Sequence, residues 1–382
     1  MKKILVVDDS ALMRRVLSDI INKDGEFHTE HSARDGLEAL ELMEQIDFDA
    51  VVLDIIMPKM NGIEFLREVH ERGYKAKVII VSTIAQKGAG ETIEALELGA
   101  FDFVTKPSSL LEAKSGEFAV KVLERLHLAL GLEWRDPLSG QTDSTDHTEH
   151  DTGQKELPDG SEVHAKKSAG ERKTVEKSKQ YSSGMRAGTS GKLVAMACST
   201  GGPKALQQVI PKLPGKLDAA VVLVQHMPVG FTASLSARLN ELSEIRVKEA
   251  EDGEILQKGT VYIAKGGSQM RVIERNRHEF VLSVREEEAR NGLKPCADIL
   301  YESLRKNSFE EITCVVMTGM GADGTKGILQ LKETNKIYVI AQNEQSSTVY
   351  GMPKAIAESG VTDEIKDLDL IADAIIKHVG VR

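Results

Sequence analysis

Two groups of chemically capable residues stand out along the 382-residue chain. The first is acidic: Asp8 and Asp9 close one apolar run, Asp54 closes another, and Lys106-Pro107 follows Phe103-Val104 at the end of a further one. In a parallel sheet the carboxyl ends of the strands share one edge, so residues distant in sequence converge there. Carboxylates gathered this closely repel one another unless a hard divalent cation lies among them, and Mg²⁺ takes such oxygen ligands with water completing its octahedron. With a lysine adding positive charge, the set suits transfer of a phosphoryl group onto one carboxylate, since the attacked group's negative charge must be neutralised. The second group is Ser199 after the apolar run 193–198, His226 after 221–225, and Asp323 shortly beyond 315–318. A hydroxyl, an imidazole and a carboxylate at neighbouring strand ends can act as nucleophile, general base and orienting acid. Each member alone has a plainer reading. A serine before Gly201-Gly202 suits a strand-to-helix turn or a phosphate cradle, His226 a structural histidine, and Asp323-Gly324 a simple turn.

Taken as ordered sets, these residues carry two resemblances. Asp8-Asp9, Asp54-Ile55-Ile56-Met57-Pro58, Gly62, Ser82-Thr83 and Lys106-Pro107 resemble the response-regulator receiver family over about residues 1–125. Ser199-Thr200-Gly201-Gly202-Pro203, Gln225-His226-Met227-Pro228 and Thr318-Gly319-Met320-Gly321-Ala322-Asp323-Gly324 resemble the catalytic domain of chemotaxis protein-glutamate methylesterases over about residues 191–380. The first resemblance implies that Asp54 accepts a phosphoryl group. Asp8, Asp9, Asp54 and the Ile56 carbonyl then hold Mg²⁺, Ser82 senses the phosphoryl oxygens, and Lys106 pairs with them. The second implies that Ser199, His226 and Asp323 cleave the methyl esters of chemoreceptor glutamates through an acyl-enzyme, and deamidate particular receptor glutamines by the same route. No cofactor is expected for that reaction. The N–H of Thr200 or of Met320 is the candidate oxyanion donor. The implied partners are methyl-accepting chemoreceptors and a chemotaxis histidine kinase as phosphoryl donor. The unphosphorylated receiver is expected to pack across the esterase site and to loosen when Asp54 is phosphorylated. The rival reading is a receiver-controlled receptor-binding protein without catalysis, since fold alone does not fix function.

The elements that must position these groups are legible as α/β rhythm. Runs at 4–7, 50–53 and 78–81 read as buried strands, and Leu12, Val16 and Ile20 form a helical stripe. Strands alternating with helices imply a parallel sheet covered on both faces. The expected architecture is an N-terminal doubly wound, flavodoxin-like receiver domain over 1–132, a flexible polar linker over 133–190, and a doubly wound α/β methylesterase domain over 191–382. Strands of the second domain are expected at 193–197, 220–225, 261–264, 313–317 and 337–341, with a hairpin over 271–284 turning near Asn276. The linker has Tyr181 as its only aromatic and no sustained apolar period, so it lacks the surface to offset its ordering entropy. Its His147, His150 and His164 read as solvated side chains rather than a metal site. A flexible tract of that length spans roughly 40 Å, long enough to weaken tethered docking, so a smaller activation ratio than that of a short-linker relative is expected.

Composition agrees. Apolar residues make up 41% and charged residues 28% of the chain, enough for two packed cores with soluble surfaces. A formal charge of −10 argues against nucleic acid or anionic membrane as a partner, and no cluster of basic residues after Ser190 suits a recognition helix. No apolar stretch approaches the ~18 residues of a membrane span, and Asp8-Asp9 interrupt the first apolar run before it could serve as a signal peptide. Cys198, Cys296 and Cys314 show neither metal spacing nor even pairing, which fits a reducing cytoplasm. Cys198 adjoins Ser199, but adjacent strand residues face opposite ways, and a thiol closing an apolar run reads as buried and inert.

Overall fold

The computed structural model describes residues 1–83, 86–107, 109, 112, 116–134, 191–276 and 279–382. Most of the segment read as a linker, with its three histidines, lies outside the described residues.

The N-terminal sheet runs in the order β2 (Phe27–His28), β1 (Lys2–Val7), β4 (Ala50–Asp54), β5 (Lys77–Ser82), β6 (Asp102–Thr105), with β3 (Ser32–Ala33) also pairing β1. Every pairing is parallel. The interior of β1 and the whole of β4 are buried, as expected for strands covered on both faces. The helix Gly62–Glu71 starts with a reciprocal cap: Asn61 Oδ1 accepts from the Glu64 N–H at 2.9 Å, and Glu64 Oε2 accepts from the Asn61 N–H at 2.9 Å. The helix Ala11–Ile21 lies where its stripe predicts, but it buries Leu17, Ile20 and Ile21 while Leu12 is half exposed. Eight residues carry a 3.6-residue helix about 80° past two full turns, so Leu12 stands at the rim of the stripe that Ile20 anchors.

The C-terminal sheet is also parallel throughout, ordered β15 (Glu364–Lys366), β14 (Ile337–Gln342), β13 (Glu311–Val316), β7 (Lys192–Cys198), β8 (Ala220–Gln225), β10 (Thr260–Ile263), β9 (Arg246–Glu249). The first strand, β7, sits mid-sheet with β8 on one side and β13 on the other. Strand order therefore reverses beside β7, the place where open α/β sheets bind ligands. The predicted hairpin is present as β11 (Gln269–Asn276) and β12 (Glu279–Arg285), antiparallel and separate from the main sheet.

Both halves belong to one compact unit. One apolar core runs from the N-terminal domain, with Ala89, Ile93, Leu96 and Phe103, into the C-terminal domain, with Leu206, Phe231 and Leu235. At the seam the Phe103 and Phe231 rings lie 4.6 Å apart. Polar contacts flank it: Arg238 forks onto Glu97 at 2.8 and 3.0 Å, Gln207 Nε2 donates to Glu97 Oε1 at 2.8 Å, and Thr200 Oγ1 donates to Asp102 Oδ2 at 2.7 Å.

Gly62 packs against the backbone that carries Asp54. A Cβ there would lie 2.5 Å from the Asp54 carbonyl oxygen and 2.7 Å from the Ile55 Cα. Because those neighbours are main chain and have no rotamer to give, Gly62→Ala is expected to cost roughly 1–3 kcal/mol by overpacking. The urea midpoint of the full chain measures it, and a midpoint equal to the parent's would exclude the close approach.

Candidate active site

At the carboxyl edge of the N-terminal sheet, Asp8, Asp9 and Asp54 bring carboxylate oxygens within 4.8 Å of one another. Lys106 Nζ lies 2.8 Å from Asp8 Oδ2 and 2.6 Å from Asp54 Oδ2. Burial raises the Asp54 carboxyl above its ordinary value and outweighs the pull of Lys106. Burial works against the Lys106 ammonium, yet the Asp54 and Asp8 charges overcome it and its pKa is raised. Ser82 is buried and turned towards the helix Gln86–Glu97, its Oγ 2.8 Å from Thr92 Oγ1. The Ile56 N–H donates to Asp54 Oδ1 at 3.4 Å while the Ile56 side chain stays exposed. Three carboxylates form a hard oxygen set that fits Mg²⁺ better than a soft metal.

At the C-terminal rim, register does the gathering. β7 and β8 pair in step up to Cys198 opposite Gln225, so Ser199 and His226 are the first residues beyond two adjacent strand ends. The ladder extends one further bond, from the His226 N–H to the Cys198 carbonyl at 3.1 Å. On the other side β13 pairs Val316 with Ala197, and the Ser199 N–H donates to the Thr318 carbonyl at 2.9 Å. Asp323 stands on the loop after β13.

His226 Nε2 lies 2.7 Å from Asp323 Oδ2. That carboxylate is anchored further: Oδ2 accepts from the Ala297 N–H at 2.6 Å, while Oδ1 accepts from the Asp298 N–H at 3.0 Å and the Cys296 thiol at 3.1 Å. Burial alone would push its pKa up. The hydrogen bond and charge of His226, joined by the two backbone donors, outweigh that and hold it at about 2. Asp298 returns the clamp, its Oδ1 accepting from the Gly324 N–H at 3.0 Å and the Gly327 N–H at 2.7 Å. Burial raises the Asp298 carboxyl, and the neighbouring Asp323 charge adds to it. Cys296 Sγ is pushed up to about 12, first by burial and then by Asp323, so it stays a thiol. Burial raises the Cys198 thiol further still.

Ser199 is half-buried, and among the described residues its hydroxyl makes no hydrogen bond. The imidazole is thus hydrogen-bonded to the carboxylate and not to the hydroxyl. With Nε2 committed to Asp323, Nδ1 is the ring nitrogen left for the serine. The N–H groups of Thr200 and Met320 have no hydrogen-bond partner among the described residues, and Gly319 abuts Ser199, a Cβ there falling 2.8 Å from the Ser199 Cβ. Ser199, Thr200 and His226 share a cleft of about 100 Å³ with Asp102, Phe103, Val104, Thr105, Lys121 and Arg125 of the N-terminal domain. Ligand pockets usually hold about 300–1,000 Å³, so this cleft is a narrow one.

Three comparisons bear on this arrangement. Residues 194–375 match the family model described as CheB methylesterase, and residues 4–114 match the response regulator receiver domain. The chain is 41% identical to the protein-glutamate methylesterase/protein-glutamine glutaminase of Bacillus subtilis, over 99% of each chain. The chain belongs to the CheB methylesterase family. Similar relatives include the enzymes of that name in Syntrophomonas wolfei, 39% identical over 98% of each chain, and Bacillus licheniformis, 40% identical over 99% of each. Within this methylesterase, sequence reasoning passed over Asp298, Cys296, Asp102 and the function of Gln225. Only Gln225 carried a visible signal, as a polar residue ending the otherwise apolar run Ala220–Gln225. Among the described residues no helix is long and apolar enough to cross a membrane.

The depressed Asp323 pKa has a consequence for stability. A folded value below the ordinary 3.8 means the ionised form stabilises the protein above that pH, and the contribution is lost as pH falls through about 2. The difference in unfolding free energy between the parent and Asp323→Asn is therefore expected to shrink as pH drops from about 4 to 2. Urea midpoints across that window measure it, and a difference that stays constant would refute the anchoring.

Proposed function

We propose that this methylesterase hydrolyses glutamate methyl esters on chemoreceptors, deamidates selected receptor glutamines, and is held in check by its own receiver until Asp54 is phosphorylated. The observation that carries this reading is the 2.7 Å contact between His226 and Asp323 on the rim that also bears Ser199. In the proposed reaction Ser199 Oγ attacks the side-chain carbonyl while His226 takes its proton through Nδ1. The tetrahedral oxygen is met by the N–H of Thr200 or Met320. His226 returns the proton to the leaving methoxide, and methanol departs. Water, deprotonated by His226, then opens the acyl-enzyme to free glutamate and Ser199. With a glutamine side chain the leaving group is ammonia. Asp323, ionised throughout, fixes the imidazole tautomer and balances its charge.

At the other edge, Asp8, Asp9, Asp54 and the Ile56 carbonyl would hold Mg²⁺, which neutralises charge on an incoming phosphoryl group. The donor is proposed to be a chemotaxis histidine kinase. Lys106 and Ser82 are the groups that would move towards an aspartyl phosphate. Lys106 follows directly on β6, whose first residue, Asp102, binds Thr200 beside the nucleophile. A pull at the phosphorylated end therefore has a short covalent path to the blocked site.

Methanol release from methylated receptor membranes tests the reading. Ser199→Ala is expected to lower it by many powers of ten, and a residual rate within tenfold of the parent would sink the nucleophile. Asp54→Asn is expected to abolish stimulation by a phosphoryl donor while keeping the resting rate; full stimulation in that variant would remove the phosphorylation control.

Arg238→Ala loses a half-exposed fork worth about 1 kcal/mol, so resting activity should rise about fivefold. The fragment 191–382, freed of the receiver, should exceed the unphosphorylated whole. If neither the variant nor the fragment is more active than the resting parent, the receiver is not an inhibitor.

A further inference from the structure

Backbone pairing between β7 and β8 ends one bond beyond the Cys198 and Gln225 pair. Past that point the nucleophile segment turns into the helix Gly202–Val209 and the base segment leaves towards Met227-Pro228. One side chain still spans the gap. Gln225 Nε2 donates to the Ser199 carbonyl at 3.0 Å and to the His226 carbonyl at 3.1 Å, while its Oε1 accepts from the Cys198 thiol at 3.0 Å. The amide orientation follows from its partners, since two carbonyls demand the NH₂ group and a thiol supplies a proton to the oxygen.

We propose that Gln225 is a positioning residue that sets the separation of Ser199 and His226 by tying their two carbonyls to one planar amide. This rests on the Ser199 and His226 roles proposed above. Three features support it. Gln225 is 2% exposed in a strand whose other residues are Ala, Val and Leu, and a buried amide is costly unless its polar atoms are bonded. Both amide protons go to the nucleophile and base segments, with none spent on the scaffold. Space is kept for it as well: a Cβ on Gly202 would lie 2.0 Å from Gln225 Oε1. The Ser199 carbonyl also accepts from the Gly202 N–H at 2.7 Å, so the Ser199 main chain is held from both sides. Gln225 need not touch substrate. It acts on geometry, where a displacement of about 1 Å costs roughly a hundredfold in rate.

The test uses the full chain with Mg²⁺ and a small-molecule phosphoryl donor. Gln225→Met keeps length and bulk but donates nothing; Gln225→Glu keeps shape and donates only when protonated. Two rates are read: methanol release from methylated receptor membranes, and modification of Ser199 by a small aryl sulfonyl fluoride, which needs the serine and base but no receptor.

In Gln225→Met, kcat and the labelling rate are expected to fall together, roughly tenfold to a hundredfold. KM should stay within about twofold, and the acid limb of the pH profile should not move, because Asp323 still holds the imidazole. In Gln225→Glu the labelling rate relative to the parent should rise as pH falls and the carboxyl gains its proton. A folded Gln225→Met with kcat and labelling within threefold of the parent overturns the proposal, as does a loss confined to KM. Should the Met variant not fold, a pH-independent labelling ratio in Gln225→Glu overturns it. If the parent labels readily but releases no methanol, the receptor-ester reading fails, and the labelling series still decides the role of Gln225.

Discussion

Cys198 faces Gln225 across two parallel strands, and a slip of one residue in that pairing would exchange the side chains of the two sheet faces. All residues from Leu193 to Cys198 and from Ala220 to Gln225 are buried, so each face is packed and the slip would set every side chain among neighbours fitted to another shape. Register thus delivers Ser199 and His226 side by side without a dedicated contact between their side chains. β13 does the same from the opposite flank and brings Thr318 against the Ser199 backbone. Core packing fixes the strands, and the strands fix the rim.

Beyond the strand ends, buried hydrogen bonds take over from packing. Asp323 and Asp298 hold one another's backbones: the first binds the N–H groups of Ala297 and Asp298, the second those of Gly324 and Gly327. Such a network rigidifies only when its members are satisfied, since a buried polar group left alone is expensive. Here the ionised Asp323 has four partners, and the imidazole is one of them. The carboxylate that holds the imidazole is also a bolt of the loop that carries it.

Much of this was legible in the sequence because it follows from period and position. The strands, the hairpin near Asn276, Ser199 and His226 at strand ends and Asp323 on the loop after β13 all come from short apolar runs that stop at or shortly before a polar residue. Leu12 shows where the pattern is too coarse: a spacing of eight keeps it on the stripe but about 80° from Ile20, at the rim, where it is half exposed. The contacts that refine the site were not legible, because their partners lie far off in the chain. Asp102 meets Thr200 across 98 residues and Asp298 meets Gly324 across 26. Nothing local to Asp102 distinguishes it from an ordinary strand acid until the two domains are packed.

The seam between the domains is oily at its centre, with Phe103 against Phe231 inside a core that continues from one half into the other. Attraction of that kind weakens on cooling, whereas the Arg238 and Glu97 pair at the margin responds chiefly to salt. The joint between the halves is therefore thermally graded: chilling slackens it from within while ionic strength slackens it from the edge, so the two act as separate controls on how firmly one half is held against the other.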